Sequence, residues 1–210
     1  MNMQYNESDV YIQQAKPDQA KLAAPLIYDT DPALFDYLFI DGYEVALEYF
    51  EKEWRQKQSI HSFSLCSVAM KEDTLVGIEL GYNRKTEQEY KPHTGKTGIS
   101  SLTPEGTETL IDRDSYSQHL FPPIPDDAYY ILFLSTHNTI RDQGLGSRLL
   151  ANAYDKARKR GYRTCELDVA SDSKAVGFYL KMEMNILSET RVIPLEEYKI
   201  PSHYRMVKEL

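Results

Sequence analysis

Between an apolar and aromatic run at 129–136 and a stretch with helical apolar spacing lies Arg141-Asp142-Gln143-Gly144-Leu145-Gly146. A buried strand that passes through a glycine-containing turn into a helix aims unpaired backbone N–H groups, and the positive end of the helix dipole, at one point. Such a point binds anions, phosphates above all. Gly144 and Gly146 carry no side chain to block a pyrophosphate, and Arg141 and Gln143 add donors around it. The same glycines would also serve a plain tight turn, so the surrounding pattern decides. Two nucleotide-binding patterns fit poorly. Ser147-Arg148-Leu149 follows the glycines without the lysine of a P-loop, and Leu149 stands where a dinucleotide fingerprint needs its third glycine.

The elements that must position this turn are legible in the periodicity. Residues 10–15 read as a first strand, and Lys16-Pro17-Asp18 opens a helix whose apolar face is Leu22, Ala23, Leu26 and Ile27. An amphipathic helix is expected over 44–58, then a hairpin of strands 63–70 and 75–82 around Lys71-Glu72-Asp73-Thr74. Over 83–127 the periodicity fades among prolines, glycines and charges. The segment reads as an insertion that is functional, partly helical or mobile, with a candidate helix at 107–120. Beyond it, Leu145, Leu149, Leu150, Ala153 and Ala157 recur at helical spacing. Arg158-Lys159-Arg160-Gly161 then supplies cations for the last turn and a glycine for the cap. A strand at 163–169, a helix at 173–182 and strands at 185–192 and 203–208 follow, an order that builds parallel pairing by right-handed crossovers.

The stretch from Leu134 to Leu150 resembles the signature of the GNAT superfamily of N-acetyltransferases, R/Q-x-x-G-x-G/A between a fourth strand and the following helix. The resemblance extends through Leu167-Asp168-Val169-Ala170-Ser171-Asp172-Ser173-Lys174-Ala175-Val176-Gly177-Phe178-Tyr179, which is similar to the family's next motif, a strand followed by N-x-x-A-x-x-F-Y. It implies one α/β (α+β) domain over 1–210 with an insertion at about 83–127. The central sheet would be mixed and strongly twisted, of about seven strands flanked by helices, and splayed between the fourth and fifth. It also implies acetyl-CoA as co-substrate, no metal, and direct transfer of the acetyl group to a primary amine of a small molecule or peptide. Cofactor contacts would fall on Leu134, Ser135, Thr136, Arg141, Asp142, Gln143, Gly144, Leu145, Gly146, Ser147, Asp172 and Tyr179. Tyr179 matches the general acid that protonates the departing thiolate, against the plainer reading of a core ring beside Phe178. A homodimer is compatible with the family.

Several residues depart from the pattern. Asp172 stands where the family often has Asn, which keeps an acceptor but loses a donor. Glu183 stands where a glycine usually ends the second helix. Where several members carry a Glu or His base near the start of the fourth strand, this chain has Tyr130, a poor base at neutral pH. Glu79 is the alternative, since it alternates away from the apolar face of its strand and the flanking Gly77 and Gly81 leave room for a ligand. Its plainer reading is a solvent-facing carboxylate. Without a base, the same fold would serve as an acyl-CoA-binding sensor or scaffold. Tyr28, Phe35, Tyr37 and Phe39 follow the first helix, where they would pack the core or wall an acceptor pocket.

Composition narrows the remainder. The formal net charge of -8 argues against nucleic acid, because Lys and Arg supply most of that affinity, and mildly favours cationic partners. Cys66 and Cys165 lie apart in apolar stretches with no Cys or His companions, so they are expected to be core thiols rather than a disulfide or zinc site. No apolar run reaches the roughly 18 residues that span a bilayer, which gives a cytoplasmic expectation with no membrane partner.

Overall fold

A computed structural model describes residues 10–138 and 144–210 of the chain. Strand β1 (Val10–Gln14) leads into helices α1 (Ala20–Tyr28), α2 (Pro32–Leu38) and α3 (Tyr43–Trp54), then the hairpin β2 (Cys66–Lys71) and β3 (Thr74–Tyr82). Helices α4 (Arg84–Tyr90) and α5 (Pro104–Ser117) precede β4 (Ala128–Thr136). The remainder is α6 (Leu145–Lys159), β5 (Thr164–Ala170), α7 (Ala175–Lys181), β6 (Asn185–Thr190), α8 (Ile193–Glu196) and β7 (His203–Glu209). Among the described residues the strands form one mixed sheet in the order β1-β2-β3-β4-β5-β7-β6. β4 and β5 pair in parallel, whereas β5 with β7 and β7 with β6 are antiparallel. β5 and β6 therefore run in the same direction, as a crossover through α7 requires, but β7 is inserted between them. The sequence expectation of serial parallel pairing is corrected to that extent.

The parallel pair parts early. It is in register only from Ala128↔Thr164 to Ile131↔Leu167, although β4 runs on to Thr136 and β5 to Ala170. Beyond Ile131 the β4 edge facing β5 is unpaired, while its other edge stays bonded to β3 as far as Thr136. This splay is the opening on which the site is built.

Side chains alternate across the sheet, so β4 serves two cores. Ala128 and Tyr130 join the aromatic core under α1, α2 and α3, and Tyr129 and Ile131 join the core under α6 and α7. Helix ends follow ordinary capping chemistry. Asp31 accepts from the Leu34 amide at 3.1 Å ahead of Pro32, and Thr103 accepts from the Gly106 amide at 3.0 Å ahead of Pro104. Gly161, at φ +80°, closes α6 behind its basic last turn. The corresponding left-handed position after α7 is Glu183, at φ 63°. A side chain there costs about 1–2 kcal/mol, and Lys208 holds the carboxylate at 2.6 Å. Cys66 and Cys165 are both buried and unbridged.

The segment 83–127 is largely helical and fastened at defined points. The Glu53 carboxylate is fully buried; it accepts the amides of Thr97 (3.2 Å) and Gly98 (2.8 Å) with one oxygen and the Ser59 hydroxyl (2.7 Å) with the other. Asp41 accepts from the backbone and hydroxyl of Thr103, both at 2.8 Å. Arg113 donates to the Tyr37 carbonyl and lies over the Tyr37 and Tyr198 rings. No helix of the described residues is long and apolar enough to cross a membrane.

Candidate active site

A cavity of about 1390 Å³ opens along the β4–β5 splay. One end is framed by Leu134, Ser135 and Thr136 from β4 and by Gly144, Leu145, Gly146 and Ser147 at the start of α6. Tyr179 lies further in, with Phe178, Ser173 and Lys174 beside it. Seven of the residues expected to hold a cofactor, together with Tyr130 and Tyr179, therefore share one space. Arg141, Asp142 and Gln143 lie outside the described residues.

The start of α6 has the chemistry of an anion site. The amides of its first turn have no carbonyl partners within the helix, and the helix dipole adds positive potential there. Gly144 adopts φ +74°, a left-handed conformation that disfavours any side chain. A Cβ at Gly146 would touch the Phe178 ring at 3.4 Å. Lys174 adds a cation to the lining of the same cavity. Alongside, the free β4 edge offers extended backbone groups to a ligand that carries amides. A phosphorylated, amide-bearing cofactor such as coenzyme A matches both features.

Tyr179 is buried, at 7 % exposure. Burial, and secondarily the neighbouring Cys165, pushes its hydroxyl well above the ordinary tyrosine range. It stays protonated at neutral pH, as a proton donor must.

Tyr130 is a proton donor too. Its hydroxyl donates to Asp168 Oδ2 at 2.8 Å, and burial followed by the Asp168 charge raises its pKa far above 10. Asp168 is in turn gripped by Arg205, Nε to Oδ1 at 2.8 Å and Nη2 to Oδ2 at 2.7 Å, and Arg205 Nη1 reaches Glu166 at 3.0 Å. The Arg205, Asp168 and Glu166 side chains are all 3 % exposed or less. Tyr130 is thus part of a buried network that braces β4 against β5 where they begin to part, and it is removed as a base.

Glu79 is corrected as well. Its carboxylate is fully buried and does not line the cavity. Tyr129 donates to Oε1 at 2.9 Å, and Lys156 of α6 forms an ion pair with Oε2. The glycines beside Glu79 make room for protein. A Cβ at Gly81 would lie 2.6 Å from the Tyr129 hydroxyl, and one at Gly77 would lie 2.9 Å from Leu149. Asp172 also misses the cavity. It is exposed on the turn before α7, where Ser173 and Lys174 do the lining.

The same cavity includes an aromatic chamber, lined by Phe35, Phe39, Tyr49, Phe50, His61 and Phe133. Of the early aromatics, Phe35 and Phe39 face it, whereas Tyr28 and Tyr37 do not. Segment 83–127 forms the opposite wall with Leu110, Asp114 and others. Burial raises the Asp114 carboxyl above its ordinary range, against Lys91 and Ser117. His61, Asp168 and Arg205 carried no sequence signal, because each depends on neighbours distant in the chain.

Residues 107–184 match the model of the acetyltransferase (GNAT) family; the match begins within the segment read as an insertion. No curated protein matches the chain. Among solved structures, an N-acetyltransferase from Staphylococcus aureus Mu50 superposes with a TM-score of 0.71 at 18% identity, covering 94% of this chain and 100% of that one. The PaiA N-acetyltransferase of Thermoplasma acidophilum, solved in complex with coenzyme A, gives 0.56 at 14% identity over 96% and 99% of the two chains. A Bacillus subtilis acetyltransferase, also in complex with CoA, gives 0.53 at 16% over 96% and 97%. At such identities these likenesses speak for the fold. The mixed seven-stranded sheet superposes on solved acetyltransferases, and residues 107–184 are similar to the acetyltransferase (GNAT) family.

Proposed function

We propose that the chain transfers the acetyl group of acetyl-CoA directly to a primary amine of a small molecule or peptide. The observation that carries this is one continuous cavity joining the first turn of α6, the free β4 edge, Tyr179 and an aromatic chamber. Acetyl-CoA supplies the thioester. The amides of residues 144–147, with Lys174 nearby, receive its pyrophosphate. The open edge of β4 from Leu134 to Thr136 pairs with the amides of its arm, and a β4 N–H turned into the splay steadies the oxyanion that forms on the carbonyl. Tyr179 gives its proton to the departing thiolate. With Glu79 locked to Lys156 and Tyr130 donating to Asp168, the ammonium loses its proton to water in the cavity before attack. The whole of 1–210 acts as one domain in this scheme, with 83–127 walling the acceptor side.

Calorimetry with CoA and thiol release in the presence of acetyl-CoA and a panel of amines test the proposal. Tyr179→Phe is expected to lower kcat about 100-fold or more, the usual worth of a general acid, with CoA affinity nearly unchanged. Absence of CoA association, or a Tyr179→Phe variant as fast as the parent, would overturn it.

A further inference from the structure

Two of the three histidines that line the cavity, His61 and His203, are in opposite states. His203 uses both ring nitrogens, Nε2 against Asp31 at 3.1 Å and Nδ1 against the Pro201 carbonyl at 3.3 Å. His61 uses neither: Nδ1 is sealed from solvent with no partner, and Nε2, which is not sealed, belongs to a ring that lines the cavity. A buried polar group without a partner is uncommon and costly. The ring itself is firmly placed, with its centroid 5.4 Å from that of Phe50, 5.6 Å from Phe133 and 6.3 Å from Tyr49. Its backbone is fixed as well. The His61 amide donates to Ser59 Oγ at 3.1 Å, Ser59 donates to Glu53, and the Ile60 amide donates to Thr94 at 2.9 Å.

The tautomer follows from the sealing. A stranded N–H is rarer in folded proteins than a stranded lone pair, so Nδ1 is bare and Nε2 carries the hydrogen, aimed at whatever fills the chamber. Burial lowers the pKa of the ring to about 4, against the opposing pull of Glu53, so the donor is neutral at physiological pH. The rings of Phe35, Phe39 and Phe133 give the cavity an aromatic side suited to a flat apolar body, while Lys91 and Asp114 line it as well. We propose that His61 selects the acceptor: its Nε2–H donates to an oxygen on an arylalkylamine whose aromatic body lies against the cavity-facing edges of Phe35, Phe39 and Phe133. This deepens the acetyl-transfer proposal and rests on it.

The test compares tyramine with phenethylamine, which differ by one ring hydroxyl, as acceptors for the parent, His61→Phe and His61→Asn. One hydrogen bond of this kind corresponds to about tenfold. The parent is expected to favour tyramine by about that factor in kcat/KM, chiefly through KM. His61→Phe, which keeps the ring shape, should erase the preference by acting far more on tyramine than on phenethylamine, with CoA affinity retained. His61→Asn, which restores an N–H, should recover part of it. Indifference of the parent to the hydroxyl, equal losses on both amines in His61→Phe, or acetylation of polyamines and amino acids with both arylalkylamines ignored would each overturn the assignment while leaving acetyl transfer intact. Failure of the parent to bind CoA would overturn both.

Discussion

Replacing Lys156 with methionine takes the cation out of a pair whose anion cannot reach water. Glu79 is fully buried, and Lys156 is 23 % exposed. In Lys156→Met the carboxylate keeps the 2.9 Å bond from Tyr129 but loses its compensating charge. Breaking a buried pair from one side costs about 3–5 kcal/mol, and the partial exposure of Lys156 lets water approach, which points to about 3 kcal/mol. For a chain of this size each kcal/mol moves the melting temperature by about 2–4 °C, so a fall of about 6–12 °C is expected. Glu79→Gln leaves an ammonium that can turn to solvent and should cost less, about 1–2 kcal/mol. The double variant should then be more stable than the sum of the two losses implies, since neither charge is left stranded. Urea unfolding followed by circular dichroism reads all three, and thiol release at 20 °C reads function. A Lys156→Met variant as stable as the parent would refute the buried-pair account. A folded, CoA-binding Glu79→Gln variant without turnover would return the carboxylate to the mechanism.

Two further outcomes follow from the geometry. Gly144→Val should weaken CoA binding at least tenfold by calorimetry. A Cβ at Gly144 would meet nothing within 4 Å, so the effect comes from forcing a β-branched residue to φ +74°, a cost of about 1–3 kcal/mol; Gly146→Ala, at ordinary contact distance from Phe178, should be mild. The buried His61, with its pKa depressed from 6.5 to about 4, is neutral in the fold while the unfolded chain takes up a proton below about pH 6.5. Its contribution is present above that pH and is lost as pH falls towards 4. Between pH 7 and 4.5 the parent should therefore lose more stability than His61→Phe in parallel urea titrations.

The sequence was most readable where local pattern and chain order agree. The strand at 129–136, the helix with its basic last turn and terminal glycine, and the strand after it all formed within a residue or two of expectation. The helix start at Leu145 followed from the glycine turn before it, and the splay only from the resemblance that the turn carries. Less could be read where a residue's meaning depends on a distant partner. Glu79 between two glycines looked like a carboxylate awaiting a ligand; only Tyr129, 50 positions on, and Lys156, 77 positions on, reveal what fills the space. Tyr130 could be recognised as a weak base but not as a donor to Asp168. The fading periodicity of 83–127 concealed α4, whereas most of α5 falls within the candidate helix at 107–120; the exposed faces of this segment leave little apolar pattern, and its attachments are Glu53 and Asp41, far upstream.

Those attachments bear on how such a protein can change its preferences. The wall that segment 83–127 contributes hangs on a few polar clasps, at Asp41, Glu53 and Arg113, whereas the end lined by β4 and the first turn of α6 is built on the sheet itself. A grafted replacement for that wall would inherit specificity without disturbing the thioester end, provided the transplant matches the clasps. A donor segment lacking a glycine at the position of Gly98 would drive a Cβ to 2.5 Å from the Tyr49 ring and prise the new wall away from its hinge post.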